Sequence, residues 1–178
     1  MVVGGTYHLV HSTLNLLLLI IPAMVANGTP VVVGKLVRRP HPIDNGKTFW
    51  DGRRILGDGK TWEGLIGGVL AGLIIGAILG VALSNLPFWL ETGFWASLGA
   101  MIGDLAGSFA KRRMGLSRGD PAPLLDQLDF YVGALIFLYL AGAKVEIVPA
   151  IILAPLVYAL HRLTNMLAYR FGIKREPH

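Results

Sequence analysis

Residues 99–129 read GAMIGDLAGSFAKRRMGLSRGDPAPLLDQLD. The stretch opens in an apolar run rich in small residues, crosses a short basic segment and closes on two carboxylates that begin another apolar run. Asp104 lies several residues inside the first run, ahead of Lys111, Arg112 and Arg113. A carboxylate there is costly in lipid, so it requires a partner, a cation or a water-filled cavity. Asp104, Ser108 and Lys111 are spaced i, i+4, i+7 and share one helix face. Asp126 and Asp129 are spaced i, i+3 and share another. The simplest assembly gathers three carboxylates beside a basic cluster at one membrane surface. Oxygen ligands of that kind suit Mg²⁺, which takes one or two carboxylates together with substrate phosphates. The plainer alternatives are a buried ion pair for Asp104 and dipole-favoured acids at a helix start for Asp126 and Asp129.

The rest of the chain supports the membrane setting. It has 178 residues, is 53% hydrophobic and has a mean hydropathy of +0.58. That is too apolar for an ordinary soluble domain. Several runs approach the roughly 20 apolar residues that cross a bilayer. The reading is one all-α integral membrane domain over residues 1–178, with no separate soluble module. The first apolar run has no Lys or Arg ahead of it, so it reads as a retained membrane helix and not as a cleaved signal. The absence of cysteine excludes disulfides, thiolate metal sites and cysteine nucleophiles. The net charge of +5 sits in loops and points to anionic lipid headgroups and anionic substrates. No soluble basic face remains for nucleic acid.

Hydropathy predicts about five transmembrane helices, over residues 10–26, 62–83, 93–111, 124–142 and 147–169. The first is expected to end at Asn27-Gly28-Thr29-Pro30, a breaker cluster in which Asn27 is a cap or a substrate contact. Gly68, Gly72, Gly76 and Gly80, and then Gly99, Gly103 and Gly107, recur every fourth residue. Such stripes let neighbouring backbones approach closely. Pro149 and Pro155 are expected to bend the last helix. The polar segment 35–62 forms a long loop, and loops of that length in compact proteins are usually functional. Of the sixteen Lys and Arg residues, only Lys144 falls on the opposite side from this loop. The asymmetry predicts an outside N-terminus, a cytoplasmic C-terminus and a cytoplasmic site. His8, His11, His41, His161 and His178 are scattered, and none is assigned to a metal.

The segment Gly57-Asp58-Gly59-Lys60-Thr61 resembles a P-loop but lacks its first glycine, since Arg54 stands there. Glycine-rich backbone, a lysine and a helix N-terminus nevertheless suit a phosphate. The alternative is an interfacial loop with Thr61 or Asp58 as a helix cap.

Lys60-Thr61-Trp62-Glu63-Gly64, then Gly103-Asp104, Ser108, Lys111-Arg112, Asp126 and Asp129, resemble the membrane cytidylyltransferases of the phosphatidate cytidylyltransferase type. In that family a KTWEG stretch precedes a membrane helix, and a GD…S…KR helix precedes a D-x-x-D pair. The bacterial and eukaryotic members are longer and carry Lys-Asp and His-Gly-Gly, where this chain has Ser117-Arg118-Gly119-Asp120 and Pro121-Ala122-Pro123-Leu124-Leu125. The short form, with PIDNGKTFWDGRRILGDGKTWEG at 42–64, resembles the archaeal, ether-lipid branch. The resemblance implies CTP and 2,3-di-O-geranylgeranylglyceryl phosphate, an isoprenoid ether lipid phosphate, as substrates, with Mg²⁺ required.

On this reading Asp104, Asp126 and Asp129 hold metal, while Lys60, Lys111 and Arg112 neutralise phosphate charge. Gly57, Asp58, Gly59 and Thr61 approach the nucleotide, with Ser108 on the same face as Asp104. Arg38, Arg39 and Arg54 are candidates for either phosphate group, and Asn27 for either substrate. Rival readings are a CTP-dependent polyprenol kinase, a small ion-coupled transporter with Asp104 as relay, and a glycine-packed scaffold. The oligomeric state stays open, a dimer included.

Overall fold

The computed structural model describes residues 2–117 and 119–174. Arg118 and His178 lie outside them. The chain forms α1 (Val2–Leu36), α2 (Trp62–Ala82), α3 (Leu86–Arg113), α4 (Pro123–Leu140) and α5 (Ile147–Arg170). Among the described residues there is no strand, only isolated bridges pairing Pro42 with Thr61 and Thr48 with Arg54. Four of the helices, all but α3, are long and apolar enough to cross a membrane. At 28 residues α3 reaches about 42 Å, ample for a bilayer. It leaves α2 through a three-residue turn at 83–85, and its far end meets the loop that precedes α2. It therefore runs the full length of the bundle, antiparallel to α2, and the expectation of five helices holds, with four of them apolar enough to cross a membrane by composition.

The reason α3 tolerates its polar residues is its position. It packs against α1, α2 and α4. Its contacts rest on the two glycine stripes. Gly68, Gly72, Gly76 and Gly80 are all buried on one face of α2. A Cβ at Gly72 would overlap the Ser97 side chain and lie 2.9 Å from the Pro22 carbonyl oxygen. A Cβ at Gly80 would lie 2.7 Å from Leu86 Cα. The opposite face of α2 exposes Ile66, Leu70, Ile74 and Ile78. So large an apolar exterior belongs against lipid. The second stripe packs on α4, where a Cβ at Gly99 would come within 2.6 Å of Phe137 Cβ. The core joins Leu16, Ile20 and Ala23 of α1, Ala96 and Ala100 of α3, Phe130 and Ala134 of α4, and Leu153 and Val157 of α5. Because the buried Ser97 side chain and the Pro22 carbonyl fill the space beside Gly72, Gly72→Leu is expected to cost about 3 kcal/mol, at the upper end of overpacking penalties. A lower melting temperature in detergent would register it.

Two helix boundaries differ from the sequence expectation. Helix α1 does not stop at Asn27 but continues through Pro22 and Pro30 to Leu36. Pro30 removes the N–H that would bond the Ala26 carbonyl. That carbonyl faces Gly68, whose absent Cβ would stand 2.8 Å from it. Thr29 Oγ1 also donates to the Val25 carbonyl at 2.7 Å. Packing and local bonds thus carry the helix past its breakers, as neighbouring helices do for interrupted membrane helices. Helix α3 begins at Leu86, before the expected 93. Asn85 caps it, accepting from the Phe88 N–H at 3.4 Å, and Pro87 falls in the first turn, where its missing N–H costs nothing. Pro149 likewise sits in the first turn of α5, leaving Pro155 as its interior proline.

Candidate active site at one end of the bundle

The last third of α3, the first turns of α4 and the segment 57–61 meet at one end of the bundle. Lys60 Nζ lies 2.5 Å from Asp104 Oδ2, so the loop before α2 is pinned to the acid inside α3. Lys111 Nζ lies 2.6 Å from Asp126 Oδ1, which ties the end of α3 to the start of α4. The other Asp126 oxygen accepts the Ala122 N–H at 2.8 Å, filling the role that the uncapped start of α4 leaves open. Asp129 Oδ1 accepts the Phe130 N–H at 2.6 Å. Its carboxylate covers Gly107, and its main-chain carbonyl covers Gly103, each occupying the place of a Cβ. Asp104, Asp126 and Lys60 all lie within electrostatic reach of Asp129. The layer therefore holds three carboxylates and two ammonium groups, each only partly exposed. A small cavity beside Asp104 is lined by Pro30, Gly59, Lys60, Thr61, Gly64 and Met101.

The loop that delivers Lys60 is built around a residue that sequence reasoning passed over. Asp44 is 6% exposed. Its carboxylate accepts from Arg54 at 2.7 and 3.2 Å and from the N–H groups of Gly46, Leu56 and Gly57 at 3.1, 3.0 and 2.9 Å. The Arg54 guanidinium, aided by those N–H groups, holds the Asp44 carboxyl far below the usual carboxylate range, and Asp44 and Asp58 raise Arg54 in turn. Arg54 also pairs with Asp58 at 2.8 Å. Arg54, Asp58 and the Gly57 N–H are thus engaged within the loop. Thr61 caps α2, accepting the Gly64 N–H at 3.1 Å, as one sequence reading anticipated. The only early signal of the hub was Asp44-Asn45-Gly46, a turn triplet whose Asn45 and Gly46 have φ of 45° and 79°. Because the folded pKa is depressed, Asp44 adds stability at every pH above its ordinary value of 3.8 and loses it only as pH falls through that value toward the lowered one. Asp44→Asn is expected to cost about 1–3 kcal/mol at pH 7. The difference from the parent should shrink in melts recorded below pH 4.

A second attachment lies on the outer side of α3. Arg53 Nη1 donates to the Arg113 carbonyl at 2.9 Å, satisfying the end of the helix. Arg113 returns to Asp51 at 2.5 Å and to the Arg54 carbonyl at 2.5 Å, and its guanidinium lies 4.9 and 5.0 Å from the Phe49 and Phe109 ring centres. This reciprocal clasp, also missed from sequence, fixes the loop to the helix that carries Asp104. Arg112 donates to the Ser117 carbonyl at 3.2 Å. Ser108 is half-buried on the Asp104 face, and Asn27 is half-buried inside α1. Arg38 and Arg39 are exposed and form no ion pair among the described residues. His41 pairs with Glu63 at 2.5 Å, while His8 and His11 lie toward the opposite end, where Ser12 donates to Glu146 at 3.0 Å.

As they stand, no three His, Asp or Glu side chains among the described residues converge on one point. Asp104 and Asp126 are each turned to a lysine. The donor set nevertheless fits a hard divalent cation in kind, with carboxylate oxygens on adjacent helices in one layer.

A solved structure described as an intramembrane enzyme for archaeal membrane lipids biosynthesis superposes on this fold with a TM-score of 0.78, at 46% identity, covering 85% of this chain and 93% of that one. A bundle of membrane helices with a charged layer at one end is thus the fold of an intramembrane enzyme. The CarS-like CDP-archaeol synthase family model matches residues 7–178. The chain is 54% identical over 164 residues to the CDP-archaeol synthase of Hyperthermus butylicus, covering 92% of this chain and 95% of the relative. It is 46% identical over 168 residues to that of Aeropyrum pernix, covering 94% of each. The chain belongs to the CDP-archaeol synthase family.

Proposed function

We propose that the chain transfers CMP from CTP to 2,3-di-O-geranylgeranylglyceryl phosphate, in a Mg²⁺-dependent reaction. A lipid phosphate oxygen attacks the α-phosphorus of CTP. The bond from that phosphorus to the bridging oxygen of the β-phosphate breaks, and pyrophosphate leaves. The two lysine–aspartate pairs in one layer, Lys60–Asp104 and Lys111–Asp126, are the observation that carries this reading. No protein nucleophile is required, because phosphoryl chemistry of this kind rests on positioning and charge neutralisation.

Asp104, Asp126 and Asp129 would hold Mg²⁺. When bound, the ion neutralises the triphosphate and the departing pyrophosphate. Lys60 and Lys111, paired with Asp104 and Asp126 in this layer, would supply ammonium groups to phosphate oxygens, and Arg112 would add a third positive group. The backbone at Gly59 and Thr61 lines the approach to Asp104. Arg38 and Arg39, exposed at the membrane surface, meet the lipid phosphate. The prenyl chains lie between helices, open to the bilayer. The positive charge at this end supports a cytoplasmic site, where CTP is available.

The test is purified protein in detergent with radiolabelled CTP, Mg²⁺ and the ether lipid phosphate. CDP-lipid and pyrophosphate are expected. Lipid phosphate and CDP formed from a lipid alcohol would make the protein a kinase, and ion flux without nucleotide turnover would make it a transporter.

A further inference from the structure

The inward stripe of α5 runs Pro149, Leu153, Val157, His161, Asn165, one residue per turn. It is apolar for three turns and polar for two. The polar turns fall at the same end as Asp104 and Asp126, both within electrostatic reach of the His161 ring. Helix α4 answers with Gln127, only 3% exposed. Two side-chain atoms here, Gln127 Oε1 and His161 Nδ1, are buried and without a hydrogen-bond partner. The imidazole meets Phe130 edge-on with ring centres 5.1 Å apart. A neutral imidazole carries one ring nitrogen as an acceptor. An unpaired amide oxygen and an unpaired ring nitrogen, on adjacent helices, thus stand at the margin of the charged layer. Buried polar atoms of that kind call for an explanation, because native proteins rarely leave them unmet.

We propose that Gln127 and His161 receive a hydrogen-bond donor of the nucleoside. The inference rests on CTP being the substrate. The triphosphate has only acceptor oxygens in its ionised form, and the ether lipid phosphate has both remaining glycerol oxygens alkylated. Only the nucleoside brings N–H or O–H groups, namely the exocyclic amine of the base and the hydroxyls of the sugar. The Phe130 edge beside the pair suits a flat, partly apolar moiety.

The experiment is calorimetric binding of CTP, UTP, 2′-deoxy-CTP and inorganic tripolyphosphate to the full chain in detergent, for the parent, Gln127→Met and His161→Phe. Both substitutions remove the unpaired polar atom without opening a cavity. CTP binding is expected to weaken about tenfold or more in each variant, a loss of the size seen where a polar contact to substrate goes unmet. Tripolyphosphate binding is expected to stay unchanged. If the CTP-to-UTP ratio collapses, the donor is the base amine. If the CTP-to-deoxy-CTP ratio collapses, it is a sugar hydroxyl. Unchanged CTP affinity means that the two atoms hold only water and overturns the proposal. Parallel loss of tripolyphosphate binding also overturns it, since the residues would then hold the fold. A parent protein that binds tripolyphosphate but no CTP overturns the proposed function along with it.

Discussion

Asp104→Asn is expected to lower CDP-lipid formation by about 10²–10³-fold, the loss typical of removing one preorganised electrostatic group. The substitution isolates charge from shape. An asparagine oxygen still accepts from Lys60 Nζ, now 2.5 Å from the carboxylate, so the loop stays pinned to α3. What disappears is the negative charge that balances Lys60 in a half-buried setting and that would help hold a divalent cation. The melting temperature should move little while the rate at saturating CTP falls. Rates measured across a Mg²⁺ titration are the check. A variant that regains parental rate at high Mg²⁺ would place Asp104 in metal affinity alone. A fully active variant would remove Asp104 from the chemistry.

The second large effect is expected from a single methyl group. Gly107→Ala sets a Cβ where the Asp129 carboxylate lies, so that carboxylate must swing away. Alanine in a helix interior is otherwise favoured over glycine by about 1 kcal/mol. Folding should therefore survive, the propensity gain offsetting the local displacement. Activity should fall about 100-fold, close to the loss in Asp129→Asn, and the double variant should be no worse than either single one. Product formation in the three variants decides the matter. Additive losses would mean that Gly107 and Asp129 act separately.

Much of the architecture could be read from hydropathy, because helix length in a bilayer is set by its thickness. Charge spacing put Asp104, Ser108 and Lys111 on one face and Asp126 and Asp129 on another in advance, since i, i+3 and i, i+4 positions share a face whatever the tertiary fold, but it said nothing of how the two helices meet. The boundaries at Leu36 and Leu86 were not legible. A proline is scored as a breaker by its own missing bond, yet α1 runs on past Pro30 while packed closely against Gly68 of another helix, which no local window contains. The partners of the acids were hidden for a related reason. Lys60 reaches Asp104 across 44 residues, and only after the loop has closed around Asp44. Asp44 itself, set among arginines and glycines, read as one more solvated charge. The polar turn of the α5 stripe was present in the i+4 spacing of His161 and Asn165, but an inward face can be told from an outward one only when the neighbours are known.

The position of α3 also bears on how the protein enters its membrane. Insertion depends on each segment's own partitioning, and α3 carries Glu91, Asp104 and a run of three basic residues. It is a poor solo passenger. Its predecessor, α2, is the most hydrophobic of the membrane candidates and is joined to it by three residues. The glycine face of α2 can therefore meet Trp89, Gly93 and Ser97 of α3 while both segments still sit at the translocon. Biogenesis then delivers α2 and α3 as one hairpin, and the site's central acid is carried into the bilayer already shielded by the helix synthesised just before it.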